Sequence, residues 1–379
     1  MAIDLMAGEF KVTPWKVEGK IDYELLEKQF GIRPIDDGLL ERMEERTGPL
    51  HWLLRRKIVF AQRELPWLLD EYDKGNAFYL YTGLAPSGPM HLGHLLPFLF
   101  TQWLQEKFGV EVLIQIPDEE KYWARQNLGM SLEDYHKLSL DTALNIASMG
   151  FDPKKTRIFL DTDYAKTLYR QAVKVAGHIT FSTVKDAFGV DNSTNIGWIF
   201  YTSMQAVPAF LKSVEEGRNV PCLIPLGVDQ DVHFRVARDV IGKMGYYKPA
   251  IMHNMFLPSL SGEAKMSASE KTNTIYLNDT PDEVTRKVNR ALTGQQATAE
   301  LQRKHGGDPD RCMVCQYYRF LFEPDDGKLE KIFDAERKGK ILAGEHKADL
   351  AKRINGFLEL HRKRREKTAK TIDRFIVKD

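Results

Sequence analysis

A chain of 379 residues is long enough for two or three domains, and its 43% apolar residues are enough to fill their cores. Its 54 basic and 53 acidic side chains leave a net charge of +1, which excludes a molecule that holds nucleic acid by overall charge; any such contact has to come from local basic patches. No run approaches the ~18–20 apolar residues of a membrane span. Met1 to Phe10 carries Asp4 and Glu9 rather than the apolar core of a signal peptide, and three cysteines make no disulfide framework, so a soluble, cytoplasmic protein is expected.

Residues 1–74 read as an accessory N-terminal region, with a short edge strand over Lys11–Val17, a short acidic helix over Asp36–Arg46, the apolar run Ile58-Val59-Phe60 and a helix from Pro66 to Asp73. From 75 to 276 strand and helix patterns alternate. Strands are expected at Phe78–Thr82, Val110–Ile116, Thr156–Leu160, Cys222–Pro225 and Ala250–Phe256. Between them, Ser131 and Asp134 form a capping-box pattern that opens a helix running to Met149. Strands separated by helices predict an α/β, doubly wound parallel sheet that receives ligands at the C-terminal ends of its strands. From 277 to 379 no strand pattern appears. Thr280 and Pro281 start a helix that Gly294 is expected to end, and helices follow over Cys312–Phe322, Lys328–Lys338 and Ala348–Ile376.

The stretch Pro86-Ser87-Gly88-Pro89-Met90-His91-Leu92-Gly93-His94 lies between the first strand of the alternating region and a helix. A strand, a Gly/Pro turn and a helix N-terminus make a cradle for anions, because unpaired N–H groups and the positive helix end face the ligand. Gly93 lets a nucleotide approach the backbone, and an imidazole there can donate to a phosphate or ribose oxygen. Taken alone, His91 and His94 also suit two structural histidines or a metal-binding pair. Lys265-Met266-Ser267-Ala268-Ser269 forms a polar stretch whose lysine could neutralise a leaving pyrophosphate, with Gly262 supplying backbone freedom. The two motifs in this order, on an α/β pattern, point to ATP-dependent adenylylation. Gly227-Val228-Asp229-Gln230 follows another strand and suits ribose hydroxyls and an ammonium group, or a plain turn that caps a helix. Gln115-Ile116-Pro117-Asp118-Glu119-Glu120-Lys121 ends the second strand, where an acidic run is commonly a solvated turn. The basic stretch Arg362, Lys363, Arg364, Arg365, Lys367 and Lys370 is either a solvated face or a nucleic-acid contact.

At these residues the chain resembles the tryptophanyl-tRNA synthetases of archaeal and eukaryotic type. The resemblance runs from about Ile21 to the C-terminus and is most specific over Phe78–Phe100, Gln115–Lys121, Cys222–Arg238 and Lys265–Ser269. It implies a Rossmann-like catalytic domain over 75–276 that includes a dimer-forming connection, and an α-helical anticodon-binding domain over 277–379. His91, His94, Lys265 and Ser267 would be catalytic. Pro86, Ser87, Gly93, His94, Asp229, Gln230, Lys265, Met266 and Ser267 would hold ATP. Tyr81, Gln115, Glu120, Lys121, Gln205 and Gln230 would hold tryptophan: Glu120 and Gln205 on the ammonium, Lys121 on the carboxylate, and Gln115 or Tyr81 on the indole N–H. The implied partners are tRNA(Trp), L-tryptophan, ATP with Mg2+, and a second copy of the chain. The expected reaction is tryptophanyl-adenylate formation followed by transfer to tRNA, with no separate editing domain.

Ala268 stands where the motif usually has a second lysine, as is normal in this branch. Two features depart from the family pattern: Leu84 stands where human-like members have an arginine directed at the triphosphate, and the second is the pair Cys312 and Cys315. Cys312 and Cys315 have no second Cys/His pair at zinc spacing, and His305 is the one extra ligand nearby. No metal site is therefore expected, and packing or a reversible disulfide accounts for the pair. A tyrosyl-tRNA synthetase shares the fold and motifs and is the nearest alternative. A small-molecule adenylyltransferase would not need the helices after 277, and a non-catalytic nucleic-acid binder would not need His91, His94 and Lys265.

Overall fold

The computed structural model describes residues 10–13, 17–19, 21–124, 129–267 and 270–379. Its strands are β1 (Phe10–Val12), β2 (Val17–Gly19), β3 (Arg33–Pro34), β4 (Val59–Arg63), β5 (Tyr79–Gly83), β6 (Val112–Ile116), β7 (Thr156–Leu160), β8 (Cys222–Gly227) and β9 (Ala250–Asn254). The expected edge strand over Lys11–Val17 is a two-stranded antiparallel hairpin, β1–β2, and Pro14, Trp15 and Lys16 lie outside the described residues.

Seven strands form one sheet in the order β3-β4-β9-β8-β5-β6-β7. The five from β5 onward run parallel, and β3 and β4 add to the β9 edge antiparallel. The chain winds outward from β5 to β7, returns to β8 on the other side of β5, and continues to β9. This is the doubly wound fold expected from the alternating pattern, and its order reverses between β5 and β8. Side chains alternate between the two faces with the strand period of two. Leu80, Ile114, Ile158, Leu223 and Met252 enter one core, while Tyr79, Tyr81, Leu113, Phe159, Ile224 and Ile251 enter the other. The first core extends without a break into the C-terminal helices through Val284, Tyr317, Leu350 and Leu358.

The stretch before residue 75 supplies β4 to the central sheet, where Val59, Phe60, Ala61 and Gln62 are all buried. It also braces the C-terminal helices: Trp52 Nε1 donates to the Phe320 carbonyl at 2.9 Å, and Asp326 receives Arg55 at 2.6 Å and Arg56 at 2.7 Å.

After 277 the described residues hold helices and one isolated bridge, between Ile376 and Ile158 of β7. The helix opened by Thr280 runs Pro281–Asn289 and stops before Gly294. Gly294 is needed for another reason: a Cβ there would meet the carbonyl oxygen of Asp308, whose N–H donates to the Gly294 carbonyl at 2.9 Å. The last long helix spans Ala343–Ala369 and ends earlier than its pattern suggests, because the chain turns back so that Phe375 and Val377 bond to the edge of β7.

Candidate active site at the sheet crossover

The two loops that leave β5 and β8 meet where the strand order reverses. After β5 the chain turns through Pro86-Ser87-Gly88, and Leu92–His94 form a short 3-10 turn that feeds the helix Leu95–Phe108. His91 and His94 stack with centroids 3.6 Å apart, and the His91 N–H donates to His94 Nδ1 at 3.3 Å. Burial, with Lys265 adding to it, holds His91 down to about 3; His94 is depressed by burial, then by His91, Lys265 and Lys121. Both rings are therefore neutral near pH 7, and His91 Nδ1 is buried without a hydrogen-bond partner. Two neutral imidazoles can donate hydrogen bonds without repelling a cation beside them.

The segment containing Lys265 is brought to this turn by backbone pairing. Leu92 N–H donates to the Ile275 carbonyl at 3.0 Å, Leu277 N–H to the Met90 carbonyl at 2.9 Å, and Met266 N–H to the Leu257 carbonyl at 2.9 Å. A Cβ on Gly93 would stand 3.4 Å from the Met266 Cβ, so the two motifs are in contact here, and 3.1 Å from the His91 ring, which a side chain would crowd. Lys265 Nζ lies 2.5 Å from Asp229 Oδ2 and 5.0 Å from the centre of the Phe256 ring. Gln230 Nε2 donates to the same Asp229 oxygen at 3.1 Å. Gly262 has φ +93°, the conformation that glycine alone adopts without strain. Thr274 Oγ1 donates to the Ser267 carbonyl at 2.6 Å, while Ala268 and Ser269 lie outside the described residues.

The residues expected around an amino acid converge on the other side of β5. Tyr81 O–H donates to Gln115 Oε1 at 2.5 Å and reaches the Gln205 carbonyl at 3.1 Å. Tyr81 and Gln115, weighed separately as indole partners, are thus one unit. Gln115 Nε2 donates to Asp161 Oδ2 at 2.7 Å. Asp161 is a residue the sequence reasoning missed; it follows β7 directly, and a carboxylate at a strand C-terminus next to β6 was the available signal. Burial raises Asp161 to about 7, and burial with Asp161 nearby raises Glu119 as well. Lys121 Nζ pairs with Glu120 Oε2 at 2.7 Å, so the two groups expected to face the ends of an amino acid face each other. Gln205 Oε1 is buried without a partner. Asp118 is structural: it accepts from His136 Nδ1 at 2.9 Å and from the Thr162 N–H at 3.1 Å.

Behind the Asp229 turn, Asp231 opens the helix Asp231–Lys243 and accepts from Arg63 Nε at 2.9 Å and Nη2 at 2.8 Å and contacts His253 Nε2 at 2.8 Å. This triad, in which Asp231 and His253 are fully buried and Arg63 nearly so, fixes the crossover turn to β4 and β9.

The model of the class I tRNA synthetases for tryptophan and tyrosine matches residues 73–359. The chain belongs to this family. The tryptophan–tRNA ligase of Sulfolobus acidocaldarius is 46% identical over 373 residues, covering 98% of this chain and 96% of that protein. That of Pyrococcus furiosus is 44% identical, with 98% and 94% covered. Among solved structures, the tryptophanyl-tRNA synthetase of Plasmodium falciparum superposes with a TM-score of 0.88 at 37% identity over 94% of this chain and 97% of that one. The enzyme from Aeropyrum pernix gives 0.86 at 30% identity over the same shares. The His91–His94 turn and the Lys265 loop, expected from the sequence to serve one site, lie together in the structure.

Proposed function

We propose that the chain joins L-tryptophan to tRNA(Trp) in an ATP-dependent reaction that passes through tryptophanyl-adenylate. The observation that carries this reading is the seating of Lys265 and Met266 against Asp229 and Gly93 at the crossover of a doubly wound sheet, beside the Tyr81–Gln115–Asp161 unit. ATP lies along Pro86, Ser87, Gly93 and His94, with its ribose toward Asp229 and Gln230 and its phosphates toward Lys265, Met266 and Ser267. The indole N–H is read by Gln115. A carbonyl oxygen has two lone pairs, and Tyr81 uses one. Asp161 holds the amide so that the other stays available. Glu120, Gln205 and Gln230 take the ammonium group, and Lys121 takes the carboxylate.

In the first step the tryptophan carboxylate attacks the α-phosphorus in line and pyrophosphate leaves. His91 and His94 donate hydrogen bonds to the nucleotide, and Lys265 exchanges Asp229 for the departing phosphates, so that its charge is used most fully as negative charge moves outward. Lys121 also lies within electrostatic reach of His94. Mg2+ travels with ATP, held chiefly by the phosphates. In the second step the terminal ribose of tRNA takes the acyl group and AMP leaves. The helices after 277 read the anticodon, residues 75–276 carry the chemistry, and residues 1–74 brace both; the cytoplasm is the setting this implies.

The pair of subunits forms through the connection between β7 and β8. There Tyr169, Val173, Phe181 and Ile196 are exposed, Ile196 by 83%. Sedimentation should give a dimer that Ile196→Asp weakens.

The deciding experiment is amino-acid-dependent exchange of pyrophosphate into ATP. Exchange with tryptophan and not tyrosine supports this reading; exchange with tyrosine alone replaces it by the tyrosyl enzyme.

A further inference from the structure

Cys312 and Cys315 are fully buried, and the fold gives them the partners that their sequence neighbourhood lacks. Glu336, in the last turn of the helix Asp326–Arg337, and His346, in the first turn of the helix Ala343–Ala369, close on the two thiols. One ligand atom from each of the four residues lies within 4.8 Å of every other. All four side chains are essentially inaccessible to water. His305, the extra ligand nearest in sequence, is exposed and is not one of the group.

The hydrogen bonding of this cluster is incomplete in an informative way. Glu336 Oε2 accepts from Gln295 Nε2 at 2.8 Å and contacts His346 Nδ1 at 3.2 Å, but Glu336 Oε1 is buried without a partner. His346 Nε2 is buried without one as well. Leaving such groups unpaired costs about 1–3 kcal/mol each, more when charged. A Cβ on Gly307 would come within 2.8 Å of Glu336 Oε1, so a side chain there would crowd that oxygen. Tyr318 stacks on the His346 ring at 5.4 Å and is itself held through its hydroxyl by Asp349 at 2.6 Å. The ligand side chains are thus oriented by a second layer, as metal sites require.

We infer that Cys312, Cys315, Glu336 and His346 bind a structural zinc ion. Two thiolates, an imidazole and a carboxylate make a closed four-ligand set of the kind tetrahedral zinc takes, and the Cys-x-x-Cys spacing with the first cysteine capping a helix is common in such sites. Bonds of about 2.0–2.3 Å put tetrahedral ligands about 3–4 Å apart, a small contraction of the observed cluster. An iron–sulfur cluster usually takes four thiolates, and only two are here. The ion would tie the Cys312–Tyr317 segment and two later helices together at one point in the helical domain.

The test uses the full chain, purified under reducing conditions without chelator. Elemental analysis should find about one zinc per chain. Metal-stripped protein should take up one equivalent of Co2+, giving thiolate-to-cobalt charge-transfer absorption and the strong visible bands of a tetrahedral site. Cys315→Ser should weaken the charge-transfer band, and Glu336→Gln should shift the visible bands while keeping it. The inference is overturned if the folded, reduced wild-type chain carries no metal and takes up neither Zn2+ nor Co2+ at micromolar concentrations. It is equally overturned by an iron–sulfur spectrum, or by full zinc retention in the double variant Cys312→Ser/Cys315→Ser. The wild-type titration reads the site even where a variant fails to fold.

Discussion

The ammonium of Lys265 lies 2.5 Å from a carboxylate oxygen of Asp229, and Gln230 donates to that same oxygen. The lysine is therefore parked beside the turn that is proposed to hold the ribose. Lys265→Ala should lower the rate of adenylate formation by about 10²–10³-fold, the usual loss when one charge-stabilising donor is removed. The KM for tryptophan should stay within about two-fold, because uniform binding is untouched. Pyrophosphate exchange measures both, and an unchanged rate would remove Lys265 from the chemistry.

His91 is held neutral down to about pH 3 by burial and by Lys265, and His94 is depressed by the same causes and by His91 itself. The pH–rate profile of adenylate formation should then lack a histidine limb between about pH 5 and 8, where an ordinary imidazole would titrate. His91→Asn, which keeps a donor, should retain more activity than His91→Ala. A limb near pH 6.5 that vanishes in either variant would contradict the neutral assignment.

Much of this site was legible because its parts are local in sequence. The His91–His94 turn, the capped helix at Ser131 and the five parallel strands each carry their signal within a few residues. What escaped depends on distant pairing. Ile58-Val59-Phe60 reads as a short apolar run, and only the register of Val59–Arg63 against β9 makes it part of the central sheet. Gln115 lies on β6 and Asp161 follows its neighbour β7, so their contact requires the strand order. Glu336 and His346 sit on separate helices with no spacing that links them to Cys312 and Cys315. Gly294 looked like a helix stop because glycine has two uses, and here the close approach of Asp308 decides between them.

The amide of Gln115 is oriented from both ends, by Tyr81 O–H on its oxygen and by Asp161 on its nitrogen. Asp161→Ala should let the amide rotate and raise the KM for tryptophan by about ten-fold or more, since a buried polar group left unpaired costs about 1–3 kcal/mol. Adenylate formation at saturating tryptophan should fall less. Equal loss in both parameters would point to a collapsed pocket instead.

Asp231, itself fully buried, binds Arg63 and His253. Burial alone would raise its carboxyl, but its hydrogen bonds with His253 and Arg63 outweigh this and hold it below the usual carboxylate range. A depressed carboxyl stabilises the fold above its unfolded value near pH 4, and that contribution is lost as the pH falls through the folded value. Asp231→Asn should therefore cost about 3–5 kcal/mol at pH 7, the range for breaking a buried pair. The difference from wild type should shrink below about pH 4. Denaturant unfolding at the two pH values checks the sign, and a gap that widens in acid would refute it.

The basic end of the long C-terminal helix divides into anchors and free charges. Arg365 pairs with Asp141 and His361 Nε2 contacts Asn145 at 3.1 Å, so these hold the helix against the helix Leu132–Ala147, while Arg362 donates to the Asp279 carbonyl at 3.2 Å. Arg364, Lys367 and Lys370 are exposed instead. If this face meets the tRNA backbone, Arg364→Ala and Lys367→Ala should each weaken tRNA binding and reduce its dependence on salt by about one counterion per lost phosphate contact. Tryptophan-dependent pyrophosphate exchange should be unchanged, because neither residue approaches the crossover site. Arg365→Ala should behave differently and lower stability, since Asp141 loses its partner. Equal effects of all three on tRNA binding, with an unaltered salt slope, would mean that the helix positions the domain and does not touch RNA.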